Sequence, residues 1–190
     1  MAIRIYKRTS AGRRNSSVNL HSAVTRSRPE KSLLAPKPKQ GGRNHHGVIT
    51  SQSRGGGAKQ RYRQVDFKRN KLDVKGAVVG IEYDPNRTCH IALIQYEDGQ
   101  KGYILAPLGL TDGQSVIASN TAVEPKVGNC MPLGQIPAGL NVHNIELLPG
   151  RGGSLCRAAG SYARLTNKEG SWATLVLPSG EQRRVSLRCR

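Results

Sequence analysis

The densest chemistry in this chain of 190 residues is cationic. Between Gly41 and Lys71, the side chains of Arg43, Arg54, Lys59, Arg61, Arg63, Lys68, Arg69 and Lys71 stand among six glycines and a single acid, Asp66. Guanidinium forks and ammonium groups donate hydrogen bonds to anionic oxygens, and backbone without Cβ atoms lets amide N–H groups approach the same oxygens. This suits phosphate, although a solvated flexible linker can share the composition. Three more arginines lie beside turns or glycines: Arg87 ends Asp84-Pro85-Asn86-Arg87, Arg151 sits inside Pro149-Gly150-Arg151-Gly152-Gly153, and Arg157 follows that loop. Singly each would read as a solvated surface charge; held together on Gly-rich loops by β structure they read as phosphate contacts. Tyr62 and Tyr103 could stack on bases or serve as core.

Catalytic chemistry is poorly supplied. Of the 12 carboxylates most fall in turns, Asp98, Asp112 and Glu181 among them, where solvation explains them. Gly55-Gly56-Gly57-Ala58-Lys59 lacks the spacing and the following Ser or Thr of a phosphate-binding loop, and no nucleophile stands in an elbow motif. His143 shares strand parity with Ile145 and Leu147 and reads as a packed histidine, not a base. Cys89, Cys130, Cys156 and Cys189 form no C-x-x-C pair, and His45-His46 has no matching pair elsewhere, so reduced thiols and no metal site are expected. Cys89 and His90 are strand neighbours that point to opposite faces. No catalytic residue, cofactor or small-molecule substrate is expected.

The charge distribution says where the cations work. Net charge is +18, and residues 1–71 hold 18 Lys/Arg against 2 acids while residues 72–190 hold 12 against 10. A basic arm on a nearly neutral body implies a polyanionic partner. The arm has no apolar stripe to enter a bilayer, nothing in the chain reads as a membrane span, and Ile3, Ile5 and Tyr6 alternate with cations instead of forming a signal-peptide core. An intracellular location follows; a transit peptide would share the Ser- and Arg-rich, acid-poor start. If about 8 cations met phosphates, affinity would fall as roughly the sixth power of salt, at ~0.7 counterions per single-strand contact. Electrostatics would then set affinity, and shape would set specificity, as for structured RNA.

Positioning these loops falls to short strands. Residues 1–60 scatter Val18, Leu20, Leu33 and Leu34 among Ser, Pro, Arg and Gly, too few apolar groups to offset ordering entropy, so this segment is expected to be disordered alone in water. Arg28 to Pro36 is expected to form one short helical turn or an extended docking piece. From Tyr62, Val65 and Phe67 alternate with polar residues as a first strand; further strands are expected at Ala77–Tyr83, Cys89–Tyr96, Lys101–Leu105 and Ser115–Ala118. Cys89–Tyr96 is apolar on both faces. A second series covers Val142–Leu148, Cys156–Gly160, Tyr162–Thr166, Trp172–Leu177 and Gln182–Leu187. The turns Glu97-Asp98-Gly99-Gln100 and Pro178-Ser179-Gly180-Glu181 close hairpins in the two series. The expectation is an all-β chain: a basic N-terminal tail at 1–60, a small barrel at 61–125 and another at 126–190.

The motifs G-G-R-N-H-H-G, S-R-G-G-G-A-K-Q-R-Y-R-Q-V-D-F-K-R-N-K, I-E-Y-D-P-N-R, Y-I-L-A-P, V-H-N-I-E and P-G-R-G-G-S-L-C-R-A-A-G occur in this order. Together they resemble the family of the universal large-subunit ribosomal protein number two, in its bacterial or organellar form, over essentially the whole chain. The resemblance implies an oligonucleotide-binding-type (OB) barrel followed by an SH3-like barrel and preceded by an rRNA-threading tail. It further implies a structural, non-enzymatic role on 23S-type rRNA, in subunit association and in the peptidyl-transferase region. The implied partners are 23S-type rRNA, other ribosomal proteins and the small subunit, in the cytoplasm or in an organelle with its own ribosomes. Arg87 and Arg157 match the family's rRNA-contacting arginines between the barrels, as do basic positions of K-Q-R-Y-R and F-K-R-N-K. Two departures stand out. Ala58 and Gln60 replace the His and Lys types expected after G-G-G, and the family pattern continues past Cys189-Arg190 into a Gly-rich extension that approaches the peptidyl-transferase centre. The sequence is therefore expected to be a fragment, or a split or shortened protein. Composition alone also permits a free-standing nucleic-acid architectural protein.

Overall fold

In the computed structural model, which describes residues 3–190, the apolar runs lie in two four-stranded antiparallel sheets. In chain order the strands are β1 (Ile3–Ile5), β2 (Ser17–Asn19), β3 (Leu34–Pro36), β4 (Arg61–Arg63), β5 (Gly76–Glu82), β6 (Ile91–Tyr96), β7 (Lys101–Leu105) and β8 (Ser115–Val116). They continue as β9 (Asn141–Val142), β10 (Ile145–Glu146), β11 (Gly153–Leu155), β12 (Ala163–Glu169), β13 (Trp172–Val176) and β14 (Gln182–Ser186). One sheet runs β7-β6-β5-β8 and the other β14-β13-β12-β9, while β1-β2, β3-β4 and β10-β11 are two-stranded ribbons. The chain is all-β, an OB-type barrel followed by an SH3-like barrel and preceded by an extended basic segment. No helix among the described residues is long and apolar enough to cross a membrane.

β6 is apolar on both faces because both faces are covered. Ala92 and Ile94 pack with Val78, Ile104 and Val116 on one side, while Ile91 and Leu93 pack with Tyr103 and Leu105 on the other. Leu33, Val65 and Phe67 close that second side. Each buried Ile or Leu contributes about 1.5–3 kcal/mol, so residues before β4 take part in the first barrel's core. The second core gathers Leu133, Ile145, Leu165, Leu175, Val185 and the fully buried Cys189. All four cysteines are free thiols.

The basic segment is laid on the first barrel by backbone bonds. The register of β5 on β6 shifts between Val78 and Gly80, a bulge. There Thr25 N and Arg26 N both donate to Ile81 O at 3.0 Å, and Ile81 N donates to Thr25 Oγ1 at 2.9 Å. Glycine at position 80 permits this approach, since a Cβ would meet Thr25 and Arg26 atoms at 3.2 Å. The Arg28–Pro36 stretch is both things expected of it: a 3-10 turn at Lys31–Leu33 that runs straight into β3. β3 then pairs with β4, Leu34 opposite Arg63.

Several strands differ from the sequence expectation. β4 ends at Arg63, and Val65 forms only an isolated bridge to Tyr103. Val142–Leu148 is split at Asn144, whose φ of +54° is left-handed. Cys156–Gly160 is not a strand; the strand is β11, and Cys156 (φ +54°) turns the chain away from it. β12 continues through Asn167–Glu169 because a register shift after Leu165 restores its pairing with β13, leaving the turn to Gly170.

Candidate nucleic-acid interface

Asp84 begins the Asp-Pro-Asn-Arg turn and is fully buried. Its carboxylate accepts from Asn86 N at 2.9 Å, Asn86 Nδ2 at 2.7 Å and Arg87 Nε at 2.6 Å. A buried charge is tolerated only when paired and hydrogen-bonded, and here the pairing fixes the turn. The turn is tied to its neighbours: Asn86 Nδ2 donates to Arg61 O at 2.8 Å, and Lys37 Nζ donates to Asn86 Oδ1 at 2.8 Å. The Arg87 guanidinium consequently lies 5.5 Å from the Phe67 ring centroid and 6.0 Å from that of Tyr62.

The second barrel brings its own arginine to the same ring. Arg157 lies 4.7 Å from the Phe67 centroid, and its Nη1 donates to Gly153 O at 3.4 Å. Three bonds join the barrels around this point: Gly153 N to Phe67 O at 2.9 Å, Cys89 Sγ to Arg157 O at 3.1 Å, and Ala159 N to Thr88 Oγ1 at 3.1 Å. Two guanidiniums within 6 Å of one ring share a single paired carboxylate among the described residues, Asp84 on Arg87. The arrangement is a cationic notch with capacity left for an anion.

Glu146, 3% exposed, shapes the loop beside the notch. Its carboxylate accepts from Gly150 N at 3.2 Å, Gly152 N at 2.9 Å and Arg190 N at 3.2 Å. This folds Pro149–Gly153 inward and leaves the Arg151 side chain exposed, its guanidinium without a partner among the described residues while its backbone N donates to Leu148 O at 3.2 Å. Arg190 reaches back to Lys68 O, Arg69 O and Asn120 Oδ1, closing the seam from the other side.

The remaining cations divide by burial. Arg43 and Arg54 are exposed and line an open hollow with Lys37 and Lys39. Part of its wall is held by Gly42 O, which accepts from Thr50 N at 3.0 Å. Lys59, Arg61 and Lys68 are exposed as well, while Arg63 is half-buried with Nη1 on Arg61 O at 2.8 Å. Lys71 is engaged within the protein, paired with Asp98, bonded to Gln100 Oε1 at 2.9 Å and 4.6 Å from the Tyr96 ring. Arg69 is 7% exposed and donates to Gly128 O at 3.3 Å, so its cation faces inward.

Tyr103 is core: fully buried, it accepts from Glu30 N at 2.8 Å and donates to Glu82 Oε2 at 2.8 Å. Burial first, then the Glu82 carboxylate, drives its phenol far above the usual range. Burial likewise raises the Glu82 carboxyl, against the lowering by the Tyr103 hydrogen bond and Arg26. Tyr62, at 37% exposure, stays available beside Arg87. Asp98, Asp112 and Glu181 are exposed turn residues as expected, whereas Glu82, Asp84 and Glu146 are buried braces that sequence reasoning missed. Their signal was an acid embedded in an apolar run, as in Ile81-Glu82-Tyr83-Asp84 and Ile145-Glu146-Leu147. Phe67 was read only as a strand residue.

Tandem small barrels locked around a shared cationic notch, with a basic segment strapped across the first, define a nucleic-acid-binding structural protein. The chain belongs to the ribosomal L2 family. It matches Ribosomal Proteins L2, RNA binding N-terminal domain, over residues 30–118, and Ribosomal Proteins L2, C-terminal domain, over residues 126–190. It is accordingly a large-subunit ribosomal protein that binds ribosomal RNA, with a structural role on the ribosome.

Proposed function

We propose that this chain clamps 23S-type rRNA in the notch between its barrels, and through that clamp supports subunit association and the peptidyl-transferase region alongside other ribosomal proteins and the small subunit. The observation that carries this reading is the convergence of Arg87 and Arg157 on Phe67, 5.5 and 4.7 Å from its centroid, from different barrels. One RNA segment laid in the notch is held by both barrels at once. Arg151 extends the notch, and Arg43, Arg54, Lys59, Arg61, Arg63 and Lys68 supply phosphate contacts along the strap. Arg69 and Lys71, engaged inside the protein, hold the strap's end in place and add to the local positive field. In function the chain divides into a basic tail at 1–60 and barrels at 61–125 and 126–190.

The test is the salt dependence of binding to large-subunit rRNA in Arg87→Ala and Arg157→Ala variants. Each lost phosphate contact lowers the slope of log affinity against log salt by about 0.7–0.9. Wild-type slope and affinity in both variants would refute the clamp.

A further inference from the structure

The near neutrality of residues 72–190 is an average over two unlike halves. Residues 72–125 carry 3 Lys/Arg against 7 acids, whereas residues 126–190 carry 9 against 3, and one of those three acids is the buried Glu146. The second barrel is thus a cationic body in its own right. Its charge is not confined to the notch, because Arg164, Arg183 and Arg184 lie on the sheet formed by β12, β13 and β14.

Register fixes what the open face of that sheet displays. Trp172 lies opposite Glu169 and Ser186, Thr174 opposite Asn167 and Arg184, and Val176 opposite Arg164 and Gln182. Directly paired residues share a face, and residues two apart on a strand return to it. The intervening Ala173, Leu175 and Val185 are buried in the core, so the face bearing Trp172, Arg164 and Arg184 is the outer one. Trp172 is 51% exposed, and among the described residues neither its indole N–H nor either guanidinium has a partner. The single acid on this face, Glu169, stands at the hairpin end and accepts from Asn167 Nδ2 at 2.6 Å. An exposed indole followed along the same sheet face by two exposed arginines matches what single-stranded RNA requires: a base stacks on the ring while cations take phosphates further along the strand. A protein partner would instead favour an apolar centre with its charges at the rim. Here Arg184 is a diagonal neighbour of Trp172, and Arg164 lies directly across from Val176.

We infer that the outer face of β12–β14 is a second RNA contact, separate from the notch, in which an unpaired rRNA nucleotide stacks on Trp172 while Arg184, diagonal to the ring, and Arg164, further along the same face, take phosphates of the strand that continues from it. This rests on the ribosomal RNA-binding reading and adds a surface to it.

Trp172 is the sole tryptophan, so its fluorescence reports on this face alone. The full chain is titrated with large-subunit rRNA, with binding followed in parallel by filter retention. The expected result is quenching of the indole, loss of its accessibility to acrylamide, and about 5- to 150-fold weaker binding for Trp172→Ala, the range for a lost base stack. Arg164→Gln/Arg184→Gln should lower affinity and the salt slope while leaving the fold intact, since both side chains are exposed. Retained RNA with an unquenched, acrylamide-accessible indole and wild-type affinity in the variants overturns this second contact but leaves the notch standing. Shielding that develops only when other ribosomal proteins are added overturns it in favour of a protein partner. Failure of the chain to retain rRNA at all overturns both.

Discussion

Alanine at Gly153 should loosen the seam that holds the two barrels together. A Cβ there would stand under 3.0 Å from Oδ1, Cγ and the backbone O of Asn144, and the residue is buried. Asn144 cannot easily withdraw, because its own N donates to Cys156 O at 3.1 Å and its φ is +54°. Overpacking of this kind costs about 1–3 kcal/mol. Moving the backbone to relieve it stretches the Gly153 N to Phe67 O bond, worth about 0.5–1.5 kcal/mol more. Gly150→Ala is the matched control, with nothing within 4 Å of its Cβ but a φ of +76°; its cost is conformational, about 1–2 kcal/mol. Urea denaturation followed by Trp172 fluorescence should place the Gly153→Ala midpoint below that of Gly150→Ala, and rRNA affinity should fall for the former. A Gly153→Ala midpoint at or above the control's would refute the steric argument.

Phe67→Leu keeps an apolar side chain but removes the ring approached by Arg87 and Arg157, losing about 0.5–1 kcal/mol per cation–π contact. A lowered urea midpoint and weaker rRNA binding are expected, and an unchanged midpoint counts against the shared-ring seam. Burial raises the Glu82 carboxyl in the folded state, so the native protein holds that proton more tightly than the unfolded chain. The group's contribution is fully present below the ordinary carboxylate value and is lost as pH rises through the raised one. Wild type should therefore lose stability relative to Glu82→Gln as pH climbs from the ordinary carboxylate range toward neutrality. Parallel thermal curves for the two across that range would exclude this assignment.

Local chemistry made the hairpins readable. Asp98-Gly99 and Ser179-Gly180 both place glycine at left-handed φ, +81° and +85°. They also close alike: Tyr96 N donates to Gln100 O as Leu177 N does to Glu181 O. The Arg-bearing loops were equally visible, since glycine and arginine announce themselves by type. What the sequence concealed depends on long-range partners. Asp84 looks like an ordinary turn former until its burial and its grip on Arg87 are seen. Arg69 sits in a run of exposed cations yet turns inward to Gly128, beside Tyr96 and Cys130. Leu33 is too isolated in sequence to suggest a core, but the face of β6 needs a cover and the basic segment supplies it. Asn144 interrupts an apolar run because Gly153, nine residues on, packs against it.

The central claim is that shape fixed by the two barrels, and not charge alone, selects the RNA. Its most direct test is competition between large-subunit rRNA and an unrelated RNA of equal length for the full chain at about 0.3 M salt, where sequence-independent phosphate attraction is weakened. The account predicts that large-subunit rRNA remains bound in excess of the competitor. Equal displacement by both RNAs would contradict it.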